Sequence, residues 1–330
     1  MPLNAYGVLI ATPVERRRES SRDTPHFQIH AVAGGEHHRI AVNVLSQQAP
    51  SELLYLVDED LRHPVTAALA GLELGWHALP SQPGGASLDF IRANLFDPAR
   101  MRTLPPDVSG PDNDLADLLD HNVTRAMADG RGTLHAFGQR WGPEAEQADS
   151  TFGFRPGNGV HDIHMNQGND TRFQADDGVW QDGALLIHFP AESRWVGIFL
   201  AFQSQAWHTD DVTGHATGAA PTAPEAVAIV AALLNPPGPA PERETVLLLN
   251  ASPGPVDLSG WQIADRLEHT CPVPAGPLAS GATLEVVLTG DVQLGNQGGT
   301  ITLLDAGGLK VAGVSYTSAQ ARREGWTVVF

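Results

Sequence analysis

Glycine or proline occurs every few residues along most of this chain and divides it into short apolar stretches. It has 34 glycines and 25 prolines among 330 residues, and only 18% of its residues are charged. Both residue types interrupt helices and favour turns, so the pattern predicts many short strands and few long helices. Because 42% of the residues are hydrophobic, the chain can bury one large core or two smaller ones. We therefore expect a β-rich globular protein.

A change of composition divides the chain into two parts. Residues 213–244 include two segments rich in proline, glycine and alanine, TGHATGAAPTAP and NPPGPAPERE. Between them lies EAVAIVAALLN, whose alanine, isoleucine and leucine content predicts a short helix over residues 225–235. We predict an N-terminal domain over residues 1–212, a linker with this helix over residues 213–243, and a C-terminal domain over residues 244–330.

The C-terminal part has the spacing of a small β-sandwich. Its apolar runs, among them TVLLLN, GWQIAD, TITLLDA and WTVVF, are separated by clusters of glycine, proline, asparagine and aspartate. The succession VLLLNASPGPVDLSGWQIAD, LASGATLEVVL and LGNQGGTITLLDAGGLKVAGVSYT resembles a lamin-tail domain. This resemblance implies an immunoglobulin-like sandwich that binds or positions a protein partner and carries no catalytic residue. Trp261 should then fill the core.

The N-terminal part predicts an α+β domain with a mostly buried sheet and few helices. YGVLIATPVERR, HFQIHAVAG and HRIAVNVLS indicate three early strands, and the glycines of AVAGGEHHR suit a hairpin turn. A helical turn is expected over residues 50–54. The segment DNDLADLLDHNVTRAMADG has apolar residues at helical spacing and ends at Gly130. TLHAFGQRW, GALLIHFP and WVGIFLAFQS are typical of central strands.

A second resemblance covers about residues 5–211. YGVLIATPVERRRE, PHFQIHAVAGG, RIAVNVLSQQAPSELLYLVDE, FGFRPGNGVHDIHMNQGN, GVWQDGALLIHFP and WVGIFLAFQSQAWHTDD together are similar to the YukJ-like family of unknown function, DUF 2278. The resemblance implies no particular activity. Members of this family are sometimes joined to a lamin-tail domain, which agrees with the two-domain division.

The segment GVHDIHMNQG, residues 159–168, concentrates polar side chains that a core does not need. In a strand, side chains alternate, so Asp162, His164 and Asn166 share one face and His161 lies on the other. An imidazole between a carboxylate and an amide can act as a general base or a metal ligand. The alternative is the polar end of a strand whose side chains bond to loop carbonyls.

Other polar residues could meet this segment. His188 interrupts an apolar strand and must find a partner, and His208 follows another such strand. Together with His164 and Asp162 they predict a site for zinc, manganese or iron, or paired imidazoles that cleave a phosphodiester without metal. The predicted catalytic residues are His161, Asp162, His164, Asn166, His188 and His208; the predicted metal ligands are His164, His188, His208 and Asp162; the predicted ligand-binding residues are Gln167, Asn169, Arg155 and Gln203.

Two further groups are candidates for binding. The segment ERRRESSR brings four arginines together, which could bind a phosphate or a carboxylate or lie in a solvated loop. In HFQIH, the side chains of His26, Gln28 and His30 share one face of a strand.

Charge and cysteine content limit the function. The formal charge is -18, which repels phosphate backbones and disfavours duplex nucleic acid. Cys271 is the only cysteine, so a disulfide within the chain and a multi-cysteine zinc site are excluded. We find no signal peptide or apolar segment of membrane-spanning length, which predicts a cytoplasmic protein without membrane contact.

The first hypothesis for function is a hydrolase that cleaves a phosphoester or amide bond in a small-molecule or polymeric substrate. The second is a non-catalytic binding or scaffold protein whose lamin-tail-like domain recruits a partner. The third is a nucleic-acid-processing enzyme, which the negative charge argues against. The sequence leaves open whether the protein is an enzyme.

Overall fold

A computed structural model describes residues 6–19, 26–44, 53–79, 95, 100–103, 114–161, 183–202, 226–239 and 242–330. Strands predominate there, as the composition predicts. In the N-terminal part they are β1 Tyr6–Arg18, β2 His26–Ala33, β3 Glu36–Asn43, β4 Leu53–Asp58, β5 Gly75–Ala78, β6 Arg102–Thr103, β7 Thr133–Glu144, β8 Gly157–His161, β9 Gly183–Phe189 and β10 Arg194–Phe202. In the C-terminal part they are β11 Val227–Leu233, β12 Thr245–Asn250, β13 Val256–Asp257, β14 Gln262–Ala264, β15 Thr270–Pro272, β16 Pro277–Leu278, β17 Thr283–Val287, β18 Gly298–Leu304, β19 Lys310–Thr317 and β20 Thr327–Val329. The helices are α1 Pro64–Ala70, α2 Asp114–Asp129 and α3 Ser318–Ala321, with a 3-10 turn at Pro190–Glu192.

Five strands of the N-terminal part close into a ring. β1 pairs with β7 through its first half and with β2 through its second half. β2 pairs with β3, and β8 joins β3 in parallel and β7 in antiparallel direction. The register between β1 and β2 shifts between Pro13 and Glu15, an irregularity of the kind that bends a strand so that it can serve two neighbours. Counted along the ring, the strand order is 1-2-3-5-4-1 with the third and fifth strands parallel, which is the connectivity of an OB barrel.

The interior of the ring is apolar because alternate side chains of each strand point into it. α2 packs against the same core with one apolar face, and it ends where Gly130 takes a left-handed conformation with φ of 68°. The predicted helix is thereby confirmed. The buried residues shared by ring and helix include Leu9, Ala11, Phe27, Ile29, Ile40, Val42, Leu134, Val160, Leu115, Leu119 and Val123.

The remaining N-terminal strands extend the ring into a larger sheet. β9, β10, β4 and β6 follow one another beyond β7, and β5 pairs with β1. A second apolar core lies between this extension and α1, and it includes Val65 and Leu69 of the helix and Phe199 of β10. No helix among the described residues is long and apolar enough to cross a membrane.

The C-terminal part is a sandwich of two four-stranded sheets. One sheet has the order β17-β12-β11-β20 and the other β15-β14-β18-β19. Both contribute to one core, in which Trp261 is 3% exposed and Cys271 is buried. The strand pattern predicted for this part, with Trp261 as a core residue, is confirmed.

Two predicted helical segments are wrong. Leu53, inside the helical turn expected over residues 50–54, begins β4, which pairs with β10; residues 50–52 lie outside the described part of the chain. The helix expected over residues 225–235 is also wrong, because β11 occupies Val227–Leu233 and pairs with β12 and β20. Pairing along both edges outweighs the helix preference of the alanines. A strand of the sandwich therefore comes from the segment expected to be linker.

Candidate ligand-binding face

A guanidinium and four aromatic rings are layered on the outer face of β1, β2 and β3. The guanidinium of Arg17 lies 4.9 Å from the ring centroid of Phe152. The His30 ring stacks on both Phe152 and Phe154, at 5.2 and 5.0 Å, and the His37 ring stacks on Phe154 at 5.6 Å. A hydrogen bond of 2.8 Å joins Nε2 of His30 and Nδ1 of His37. We call these five residues, Arg17, His30, His37, Phe152 and Phe154, the stacked face.

Asp149 fixes the loop of residues 145–156, which carries the two phenylalanines. Its Oδ1 accepts hydrogen bonds from the backbone N–H groups of Thr151 and Phe152, at 3.0 and 2.7 Å. Its Oδ2 lies 2.7 Å from Nε of Arg39 on β3. Because the Asp149 side chain is only 1% exposed, its role is to hold the loop against the sheet.

Two arginines of this region form ion pairs with carboxylates. Arg17 donates from Nε to Oε1 of Glu15 at 2.8 Å, and its Nη2 lies 2.7 Å from the same oxygen. Arg39 is paired with Asp149 through its Nε atom. Burial, and secondly the neighbouring imidazole of His37, lower the pKa of His30, which favours the uncharged ring. The two ion pairs have no net charge.

The polar stripe that alternation predicts on β2 continues below the stacked face. Gln28 is 1% exposed, donates from Nε2 to Oε1 of Glu19 at 2.6 Å and accepts from Arg39 at 3.3 Å. His26 lies 3.5 Å from the Glu19 carboxylate. These side chains satisfy one another, so they support the strands beneath the stacked face.

The arginines of ERRRESSR divide between two faces of β1. Arg16 forms an ion pair of 2.6 Å with Asp120 of α2, and Arg18 pairs with Asp117 of the same helix. Arg17 points away from them, to the stacked face. Joint anion binding, one of the two interpretations of this segment, is therefore not possible for these three residues, because strand alternation separates them. Arg22 lies outside the described residues.

A second group of imidazoles surrounds Trp195 of β10. His188 stacks on this ring at 4.3 Å with the planes 10° apart, and His135 of β7 lies 4.8 Å from it. Burial, then the charge of His188, lowers the pKa of His135 to about 3, and burial also lowers the pKa of His188. Within the described ranges, no three His, Cys, Asp or Glu side chains are placed to bind a metal.

Most of the predicted site falls outside the described residues. β8 ends at His161, so the start of the segment is a strand as expected. Arg155 is exposed and directly follows Phe154 of the stacked face. The residues outside the described ranges are Asp162, His164, Asn166, Gln167, Asn169, Gln203 and His208.

His161 and His188 are not brought together. They pair with Gln139 and Thr133 of β7, six positions apart along one strand. This separation corresponds to about 20 Å between their backbones. Whether His188 meets His164 stays a prediction, and so does the metal site.

Gly159 has a packing role that the sequence analysis did not find. A Cβ atom at this position would lie 2.0 Å from the carbonyl oxygen of Arg39 and 2.2 Å from the ring of Trp141. Glycine is therefore required where β8 meets β3.

Sequence reasoning missed Phe152, Phe154 and their support by Asp149 and Arg39. The signal was present in TFGFRPG, where two aromatic residues two positions apart interrupt a loop rich in glycine. Exposed aromatic residues on a loop beside a sheet are typical of binding surfaces.

The described residues define a class of two-domain β protein, an OB-like barrel followed by an immunoglobulin-like sandwich. A family model described as "Uncharacterized conserved protein (DUF2278)" matches residues 1–214, and the chain belongs to this family. The Lamin Tail Domain model matches residues 220–318. A relative in Bacillus subtilis (strain 168), "Uncharacterized protein YukJ", is 41% identical over 215 residues, which are 64% of this chain and 93% of YukJ. No solved structure matches the chain significantly.

Proposed function

We propose that this is a non-catalytic binding protein whose ligand lies across the stacked face. The observation that carries the proposal is the position of this face. It covers the second and third strands of the ring and is bounded by the loop between the fourth and fifth, where OB barrels bind oligonucleotides and oligosaccharides.

The construction of the face supports binding. Its rings are stacked on one another and its loop is fixed by Asp149, so little conformational entropy is lost when a ligand binds. Phe152 and Phe154 are half-buried and His37 is exposed, which leaves ring surface accessible. The two imidazoles bond to each other, which holds both rings in place.

A thermal-shift experiment on the full chain tests this proposal. The probes are oligo(dT), oligo(rU), and the hexasaccharides of chitin, cellulose and starch. At least one class of probe should raise the Tm of the wild type and leave that of Phe154→Ala unchanged. Trp326→Ala is the matched control, since this aromatic is 59% exposed on the sandwich. A probe that stabilises both proteins equally, or no stabilising probe at all, would contradict the proposal.

Hydrolysis at residues 159–168 is the second candidate, favoured by the polar side chains that follow the end of β8. It is tested by His164→Ala. A catalytic role predicts a folded protein that lacks activity on a phosphoester or amide substrate cleaved by the wild type. Loss of stability instead would indicate a structural role for His164.

A further inference from the structure

We infer that the ligand of the stacked face is an uncharged oligosaccharide. The inference rests on the proposed function, and it adds the chemical class of the ligand. OB barrels bind both oligonucleotides and oligosaccharides, so the charges and rings of this particular face must distinguish them.

The charges disfavour a polyphosphate. Sites for single-stranded nucleic acid combine stacked aromatic rings with a positively charged groove that follows the phosphates. Here Arg17 is paired with Glu15 and Arg39 with Asp149, so both guanidinium charges are balanced. The Glu15 side chain is 46% exposed, so a phosphate backbone would pass a carboxylate. The chain as a whole carries a formal charge of -18, which opposes approach of a polyanion.

The same groups suit a polymer of hydroxyl groups. A hydroxyl both donates and accepts hydrogen bonds, and the Arg17–Glu15 pair places donor and acceptor side by side. The half-buried rings of Phe152 and Phe154 offer apolar surface for the C–H face of a sugar ring. The Arg17–Glu15 pair and the aromatic rings therefore match a neutral oligosaccharide in hydrogen bonding and in apolar surface.

Isothermal titration calorimetry on the full chain tests the inference with the three hexasaccharides and with oligo(dT) and oligo(rU). At least one hexasaccharide should give saturable binding at physiological ionic strength. Phe154→Leu keeps an apolar side chain in the loop and removes the ring. It should weaken binding about tenfold, the size expected for one stacked ring. Phe154→Ala should weaken binding at least as much, and Trp326→Ala should not change it.

Glu15→Gln separates the two ligand classes. For an oligosaccharide it replaces a strong acceptor by a weaker one and should reduce affinity. For an oligonucleotide it removes a negative charge and should increase affinity. Binding of an oligonucleotide that Phe154→Leu weakens and Glu15→Gln strengthens would overturn the inference and leave the proposed function standing. Absence of saturable binding by all three hexasaccharides would also overturn it, and the thermal-shift panel then shows separately whether the proposed function fails.

Discussion

Asp149 is the residue on which the geometry of the stacked face most depends, because its two carboxylate oxygens serve different parts of the chain. One oxygen orders the loop backbone at Thr151 and Phe152, and the other binds Arg39 on β3. The Asp149 carboxylate thus determines both the conformation of the loop and its attachment to the sheet. Loss of the carboxylate would leave the Arg39 guanidinium, whose side chain is 16% exposed, without its main partner.

We therefore expect Asp149→Ala to lower the free energy of unfolding by about 3 kcal/mol, as removal of one partner from a buried ion pair does. Urea denaturation measures this change. Asp60→Ala is the control, since Asp60 pairs with Arg62 at the surface, where the side chains are 57% and 77% exposed. It should cost less than about 1 kcal/mol. Equal losses in the two variants would contradict the role given to Asp149.

His135 should make the N-terminal domain sensitive to acid. Its pKa is lowered to about 3 by burial and secondly by His188, from an ordinary value of 6.5. Between these pH values the unfolded chain binds a proton that the folded chain excludes, so stability falls as the pH decreases from about 6.5 towards 3. Above 6.5 this contribution is constant.

His135→Gln should reduce that pH dependence, since glutamine does not titrate. The measurement compares urea unfolding midpoints at several pH values between 4 and 7, roughly the window set by these pKa values. His121→Gln is the control because His121 is exposed on α2. An unchanged pH slope in His135→Gln would show that the imidazole is not the group responsible.

At the scale of the element, β8 is the strand that closes the ring. Within the described residues it joins β3 through two residue pairs, Arg39 with Gly159 and Ile40 with Val160. Close approach there requires glycine, since the oxygen of Arg39 would be 2.0 Å from an added Cβ. The short segment GNGVH thus determines whether the barrel is closed.

Gly159→Ala should therefore destabilise the N-terminal domain by about 3 kcal/mol, at the upper end of the usual cost of overpacking. Thermal unfolding followed by circular dichroism measures the effect. Gly71→Ala is a suitable control, because a Cβ at that position meets its nearest atom at 3.6 Å. A tolerated Gly159→Ala would contradict the close packing of β8 against β3.

The elements that the sequence predicts correctly are those with a local pattern. The turn at Gly34 and Gly35, with φ of 58° and 89°, and the helix α2 follow from residues within one window. Ring closure does not, because Arg39 and Gly159, which pair where β8 meets β3, are 120 positions apart. β11 is missed for a similar reason: its partners β12 and β20 decide its conformation, and one of them lies at the C-terminus.

In the candidate site, too, the sequence predicts the features that have a local pattern and misses those that depend on distant residues. Alternation places His26, Gln28 and His30 on one face of β2, and the structure confirms this arrangement. It could not place Phe154 on His30, because the loop conformation depends on the contact between Asp149 and Arg39. Long-range ion pairs of this kind have no signature in a local sequence window.

At the scale of the whole molecule, the two domains should respond to pH in opposite directions. Glu244 directly precedes β12 of the sandwich and is 7% exposed, and its carboxylate accepts a hydrogen bond of 2.8 Å from the backbone N–H of Leu294. Burial raises the pKa of Glu244 from 4.5 to about 7, although this hydrogen bond opposes the rise. The folded sandwich therefore holds a proton that the unfolded chain releases. The contribution of Glu244 to the free energy of unfolding is greatest below about pH 4.5 and is lost as the pH rises to 7.

Glu244→Gln should remove this loss, because the amide mimics the protonated carboxyl at every pH. The variant should be more stable than the wild type at pH 8 and about equally stable at pH 4, roughly outside the window set by the two pKa values. Calorimetry of the full chain measures this change as a shift of the unfolding transition of the sandwich. Glu285→Gln, at an exposed position of β17, serves as the control. Equal stability of Glu244→Gln and wild type at pH 8 would contradict the assignment.

The junction between β3 and β8 also determines where the barrel opens locally. Over the described residues this junction is shorter than the ladders of β1 with β2 and β7. It should therefore open at a lower free-energy cost, and its amide protons should exchange with solvent sooner than those of its neighbours. Opening there would part β8 from β3 while β2 and β3 remain paired, and the hydrogen-bonded imidazoles of His30 and His37 would stay together on that pair. The barrel would then open at the β3–β8 junction while its other strand pairs stay intact. A ligand bound to the adjacent stacked face would be expected to slow the exchange of amide protons at that junction.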